Sequence, residues 1–304
     1  MQGQFSNSVL LLLLAFLLSC KKEISTGPLR ASTSAEINSK SHINESSNKI
    51  KVRNISELYE AVNNTENEGA TIILAPGVYM LNAGYPKAGR LELLHNMSLV
   101  GLPGNPGAVV IDASQLPLSS FTLAPANSRT GAVRMGDGVN RMEWITFQND
   151  PAHTIRSLIQ TDIVTGSFAN IKIAHCIIKG SSIGISILNR DPVANGRVLE
   201  ADISDNEIFE NTIQQFGSGI QIQNTLVNDA VLKVRLSRNH VYGNKAGMMI
   251  FNSSSQRCLL EVESYNDIIE GNGIGLRTDL DCEHGQPCAQ RSQFDPVQSD
   301  QCPV

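Results

Sequence analysis

Arg238-Asn239-His240-Val241-Tyr242-Gly243-Asn244 superposes without a gap on Asn266-Asp267-Ile268-Ile269-Glu270-Gly271-Asn272, and the strand after each segment decides the fold. The first segment runs into Ala246-Gly247-Met248-Met249-Ile250-Phe251-Asn252 and the second into Ile274-Gly275-Leu276-Arg277. Earlier in the chain the same Gly-apolar-x-apolar unit reads Ile183-Gly184-Ile185-Ser186-Ile187-Leu188-Asn189 and Ser218-Gly219-Ile220-Gln221-Ile222-Gln223-Asn224. Each copy comes after a second apolar strand, and the junction between the two holds Cys176, Asn206, Asn239 and Asp267 in equivalent places. Strands this short cannot bury an apolar face alone, so a repeat of this length means a stacked solenoid.

The apolar residues alternate with period two, which specifies a parallel β-helix and excludes a helical array. Ile185, Ile187, Ile220, Ile222, Met248 and Ile250 then point inward. Coils stacked at roughly 4.8 Å place equivalent side chains over one another. Asn189, Asn224 and Asn252 are expected to form one buried amide ladder. Asn206 and Asn239 form another at the turn, where Asn tolerates left-handed backbone and its amide bonds to neighbours above and below. Cys176 and Asp267 end that second ladder.

In these residues the chain resembles the right-handed parallel β-helix proteins known as the pectin lyase-like superfamily. Ile55-Ser56-Glu57-Leu58-Tyr59-Glu60-Ala61-Val62 resembles the capping helix of that group, and Gly69-Ala70-Thr71-Ile72-Ile73-Leu74-Ala75-Pro76-Gly77-Val78-Tyr79 its first coil. Met97-Ser98-Leu99-Val100-Gly101 and Val109-Val110-Ile111-Asp112 continue the pattern, and the resemblance spans Lys51 to Thr278. It implies an all-β right-handed solenoid with an N-terminal capping helix. It does not imply one activity, because the superfamily holds lyases, hydrolases, epimerases, adhesins and proteins with no known chemistry.

Composition fits one extended domain: 304 residues, with aromatics at 5%, supply aliphatic material for a long narrow core. A net charge of −5 with no Lys/Arg cluster argues against a nucleic-acid partner. The apolar run Val9 to Leu18 is too short to span a bilayer and ends in Leu17-Leu18-Ser19-Cys20, which resembles a bacterial lipobox. The expected organisation is a lipoprotein signal peptide over 1–19, a lipid-modified Cys20 with a Ser/Asn/Lys-rich tether over 20–50, the β-helix over 51–279 and a cysteine-containing cap or tail over 280–304. An ordinary signal peptide cut nearby is the alternative. Either way the protein is exported, and the lipobox reading anchors it in the cell envelope, at the outer membrane, on its periplasmic side or the cell surface.

Cys258, Cys282, Cys288 and Cys302 fit two disulfides closing the last coil and tail, with three pairings open. The rival is a metal site on Cys282, His284, Cys288 and Cys302, whose spacing matches no standard zinc motif. Cys176 reads as an interior residue and His175 as a turn histidine. The polar, proline-containing tail and the segment Ser56 to Asn63 are expected to cover the two solenoid ends, which would otherwise expose strand edges.

Two lateral faces carry the candidate sites. On the strand before the turn, outward positions align Lys172, Asp202, Arg235 and Glu263 in one column and Asn170, Glu200, Lys233 and Glu261 in the next, with signs alternating from coil to coil. Alternation is what ion pairing between stacked strands predicts. The functional reading comes from the resemblance: in polysaccharide lyases of this fold Asp or Glu holds Ca²⁺ against a uronate and Lys or Arg removes the α-proton. That would make Glu261 and Glu263 the metal ligands and Lys233 or Arg235 the base. On the Gly-containing strand, Ser186, Gln221, Met249 and Arg277 align beside Leu188, Gln223, Phe251 and Asp279. Amides next to an exposed ring suit sugar, which makes Gln221, Gln223, Phe251 and Arg277 candidate glycan contacts, unless a loop covers this face. The Gly-His-Gly segment of the fold's hydrolases is missing, and Asp150-Pro151-Ala152-His153 only echoes the epimerase signature Asp-Pro-His-Asp. The sequence therefore points first to a polysaccharide-binding envelope protein, then to a Ca²⁺-assisted lyase, then to a structural envelope component.

Overall fold

The computed structural model describes residues 48–93, 96–117, 120, 131–150, 157–162, 167–190, 195–213, 217–225, 227–253, 257–279 and 289–294. All of these belong to one compact unit, Glu45–Val304. The expected signal peptide, Cys20, most of the tether, and Cys282, His284, Cys288 and Cys302 lie outside the described residues.

The chain enters through the helix Ile55–Asn63, whose Leu58, Tyr59, Ala61 and Val62 are buried. Asn54 accepts from Glu57 N, and the Glu57 carboxylate accepts from Arg53 N, so two N-terminal donors are satisfied reciprocally. Beyond it seven coils among the described residues each contribute one strand to each of three parallel sheets, and Lys49–Val52 before the helix and Ala289–Phe294 after the last coil bring the first sheet to nine strands against seven and seven. The best-repeated first-sheet strands are Phe168–Ala174, Val198–Ser204, Val231–Ser237 and Leu259–Tyr265. The second-sheet strands of the same coils are Ile177–Lys179, Glu207–Phe209, His240–Tyr242 and Ile268–Glu270. The third-sheet strands, Ile183–Arg190, Ser218–Thr225, Ala246–Ser253 and Ile274–Asp279, are the Gly-containing units. The result is a right-handed parallel β-helix, and Ile185, Ile187, Ile220, Ile222, Met248 and Ile250 all face its core.

The repeated glycine has a packing reason. A Cβ on Gly219 would lie 2.6 Å from Val241 Cγ1 and 2.9 Å from the Gly247 carbonyl oxygen of the next coil, and Gly247 meets Gly275 O at 2.7 Å in the same way. Only a residue without a side chain lets the third sheet close against the coil above it.

Two of the three turns share one design. A residue in left-handed backbone is followed by a polar side chain that stacks along the axis. At the first turn the left-handed residues are Trp144, His175, Asp205, Arg238 and Asn266, with φ between 55° and 62°. Such backbone costs a non-glycine residue roughly 1–2 kcal/mol, and the ladder beside it offsets that cost. Asn206 Oδ1 accepts from Cys176 N at 2.9 Å, Asn206 Nδ2 donates to Asn239 Oδ1 at 2.9 Å, and Asn239 Nδ2 donates to Asp267 Oδ1 at 2.8 Å. This is the expected turn ladder with Cys176 and Asp267 at its ends.

The second turn carries a ladder that the sequence reading did not assign. Gly180, Glu210, Gly243 and Gly271 take the left-handed backbone. Ser181, Asn211, Asn244 and Asn272 come next in each coil, with Asn211 Nδ2 donating to Asn244 Oδ1 and Asn244 Nδ2 to Asn272 Oδ1, both at 3.0 Å. The third Asn column, Asn189, Asn224 and Asn252, is buried and in register as expected, but its amides do not bond to one another from coil to coil. There Asn189 Nδ2 donates sideways to Val231 O at 3.1 Å, tying the third sheet to a later first-sheet strand.

Of the four cysteines of the expected disulfides, Cys258 alone lies among the described residues. No disulfide forms among the described residues. Cys258 is a buried thiol packed with Val227 and Ala230, and its Sγ donates to Val227 O at 3.2 Å.

Candidate functional site

The outward face of the first sheet forms a groove of about 510 Å³. Its floor is the two charged columns, held in register by the strand pairing: Lys172 pairs with Asp202, Asp202 with Arg235 and Arg235 with Glu263, while Asn170, Glu200, Lys233 and Glu261 align beside them. One coil earlier the first column continues to Arg141. The sequence-predicted Lys233, Arg235, Glu261 and Glu263 are thus brought together in one groove. Every second residue of a strand faces outward, and stacking repeats that position each coil, so the fold converts a linear pattern into a flat charged array.

Ion pairs run along this array. Lys172 Nζ lies 2.7 Å from Glu143, Arg235 Nε 3.4 Å from Glu263 and Lys233 Nζ 3.8 Å from Glu200. Asn170 Nδ2 also donates to Glu200 at 3.3 Å. Asp202 sits between Lys172 and Arg235 in register, yet both cations lie on other carboxylates, and its buried Oδ1 has no hydrogen-bond partner. Among the described residues no three His, Cys, Asp or Glu side chains group to hold a metal ion. Glu261 and Glu263 stand as a pair two positions apart on one strand, with Glu263 engaged by Arg235.

A second hollow, of about 640 Å³, shares Lys172, Asp202 and Arg235 with the groove and extends it to the first turn. Its rim holds His175, Asp205, Arg238 and Tyr265. Arg238 grips Asp205 through two hydrogen bonds, at 2.6 and 2.7 Å, which hold the Asp205 carboxyl below the usual carboxylate range. One coil earlier the Trp144 indole stacks on the His175 ring at 4.1 Å between centroids. His175 is therefore a turn residue, as expected, and Cys176 behind it is wholly buried, its thiol pushed up to about 12 by desolvation.

The third-sheet face differs. Its columns align as expected, Ser186 with Gln221, Met249 and Arg277, and Leu188 with Gln223 and Phe251. Ser186 and Met249 are buried, and Gln221, Gln223 and Phe251 are half-covered, while Arg277 is exposed at the last coil. The amides hydrogen-bond within the strand, Gln221 Nε2 to Gln223 Oε1 at 3.3 Å and Gln223 Nε2 to Thr225 Oγ1 at 3.0 Å. Further toward the N-terminal end the same outward column is buried and ionic, with Glu92 between Lys87, Arg90 and Arg134.

Sequence reasoning missed the groove residue Arg141 and Glu143, the ion-pair partner of groove-lining Lys172. Their coil places Ile145 where later coils carry Cys or Asn, so the repeat that aligned the other columns is silent there. The period-two pattern of Asn140-Arg141-Met142-Glu143 was the available signal.

No protein-family model and no curated protein matches the chain. Among solved structures it is similar to Escherichia coli YbhC, with TM-score 0.44 and 11% identity over 80% of this chain and 75% of that one. It is also similar to AlyGC, a PL6-family alginate lyase, with TM-score 0.37 and 10% identity over 83% of this chain and 38% of the lyase. The A-module of the Azotobacter vinelandii mannuronan C-5 epimerase AlgE4 aligns with TM-score 0.32 and 12% identity, over 83% of this chain and all of that module.

Proposed function

We propose that this protein binds a polysaccharide along the first-sheet groove without cleaving it, and that it does so as an exported protein held in the cell envelope by lipid on Cys20. The observation that carries the binding reading is the groove itself: an open channel of about 510 Å³, continuous through shared residues with a second hollow, on a face whose polar side chains repeat once per coil. A linear polymer lying across stacked coils meets the same chemistry at each step, and a rigid sheet lowers the ordering cost of binding it. Lys233 and Arg235 are each committed to a carboxylate, which suits a polar lining better than a proton acceptor. The anchoring part rests on the Val9 to Cys20 segment.

The test is a glycan array probed with the purified full-length chain. Binding is expected, and it should fall when Arg141 and Glu261 are replaced by Ala. Loss on Phe251→Ala with no effect of the groove variants would move the site to the third sheet. The lyase reading keeps one specific support, the presence of Glu261, Glu263, Lys233 and Arg235 in a single groove. It predicts a Ca²⁺-dependent rise in unsaturated-uronate absorbance that Lys233→Ala abolishes. Mass spectrometry of the mature N-terminus tests the anchor: a diacylglycerol adduct on Cys20 is expected, and an unmodified residue elsewhere at the N-terminus would refute it.

A further inference from the structure

The charges of the groove are not equally available to a ligand. Lys172, Lys233 and Arg235 each stand within ion-pair distance of a carboxylate on the protein. Arg141, exposed at one end, is the groove cation outside such a pair. On the acidic side Asp202 and Glu261 have no cation within ion-pair distance among the described residues. What remains for a ligand is one cation at the N-terminal end and two carboxylates further along.

Asp202 is the most telling of these. It lines both hollows and so marks their junction. Its neighbours in register, Lys172 one coil before and Arg235 one coil after, both lean away to Glu143 and Glu263. Its Oδ1 is buried without a donor. A hydroxyl or ammonium reaching the junction can donate to the Asp202 carboxylate, to which no described residue donates. A ligand carboxylate at the same place supplies none and adds like charge.

We infer that the glycan accepted by this groove presents hydrogen-bond donors, hydroxyl or ammonium, to Asp202 and is not a polyuronate. This rests on the groove being the glycan site. A polymer with a carboxylate on every sugar would set repeated negative charge over Asp202 and Glu261, with Arg141 the one groove-lining cation outside an ion pair on the protein. A neutral glycan or an amino-sugar polymer meets no such conflict, and the second gains a charge-assisted bond.

The experiment is calorimetric titration of the full-length chain with cellohexaose, a chitosan hexamer and hexagalacturonate, each with EDTA and with Ca²⁺, repeated on Asp202→Asn. The substitution keeps the shape of the side chain and removes its charge. The neutral or the amino hexamer is expected to bind at least tenfold tighter than hexagalacturonate. Asp202→Asn should weaken that binding about tenfold, and more strongly for the amino hexamer if ammonium is the donor. Hexagalacturonate binding as tightly as the others, with or without Ca²⁺, would overturn the inference, as would an unchanged or tighter Asp202→Asn. Binding of hexagalacturonate alone would overturn it while leaving the groove as a glycan site. Failure of all three hexamers would remove both.

Discussion

Asn239→Ala should cost far more stability than Asn272→Ala, although the two side chains make the same number of bonds. Asn239 Nδ2 donates to Ile203 O and Asp267 Oδ1, each at 2.8 Å, and its Oδ1 accepts from Asn206 N at 3.2 Å and Asn206 Nδ2 at 2.9 Å. It is 1% exposed. Truncation therefore strands donors on Asn206 and the acceptor of Ile203 in a site sealed from water. At roughly 1 kcal/mol for each bond lost, and more where a buried partner is orphaned, the cost is about 4 kcal/mol. Asn272 Nδ2 donates to Val241 O and Glu270 O, and its Oδ1 accepts from Asn244 N and Nδ2. It lies half-exposed on the last coil, where water replaces most of what is lost, so about 1 kcal/mol is expected. Urea denaturation of the full-length chain, monitored by circular dichroism, reads both variants against the parent. Solenoids unfold by neighbouring units, so the midpoint for loss of strand signal is the quantity to compare. Equal shifts for the two variants, or an Asn239→Ala shift below that of Asn272→Ala, would refute the claim that burial of the ladder sets its value.

Gly219→Ala should destabilise by about 1–3 kcal/mol through its clash with Val241 Cγ1 and Gly247 O. Gly275→Ala, with nothing within 4 Å of its added methyl, should be near neutral in the same melt. Arg238→Ala should raise the Asp205 titration midpoint seen by carboxyl carbon NMR, since the Arg238 hydrogen bonds are the main cause of its lowering. The sign is that of a depressed carboxylate: this pair's contribution is present above the ordinary Asp value and is lost as pH falls through the lowered one. Cys176 should resist thiol reagents near neutral pH in the folded chain and react on unfolding, because burial pushes its thiol up to about 12; rapid native labelling would contradict the wholly buried assignment.

The fold was legible because its signals are local. Alternation at Ile185 and Ile187, or Ile220 and Ile222, states a strand face without reference to anything distant, and Asn206 over Asn239 states the stacking interval. The same counting placed Lys172, Asp202, Arg235 and Glu263 in one column correctly. The second amide ladder lay in plain view as Gly243-Asn244 over Gly271-Asn272, but Glu210 before Asn211 and Ser181 in the first coil disguised it. What sequence could not supply is coverage. Whether Gln221 and Gln223 face solvent or each other depends on side-chain packing between coils, and the tuck of Cys258 against Val227 depends on residues distant in sequence. The choice of which charges remain unpaired depends on rotamers, so Asp202 looked no different from its neighbours in the column.

The ladder spacing divides each coil into a fixed arc and a free one. The second ladder residue comes five positions after the first every time, from Cys176 to Ser181, Asn206 to Asn211, Asn239 to Asn244 and Asp267 to Asn272. Between coils the rungs are 30, 33 and 28 residues apart. All variation in length among these coils is thus absorbed between the second ladder and the next first turn, and the shortest of the three intervals is 28 residues. A tandem copy of residues 239–266 would therefore slot in as one more rung, lengthening the charged face by roughly 4.8 Å while every buried amide finds the neighbour it already has. Evolution can tailor the reach of such a molecule by copying DNA, with no redesign of its interior.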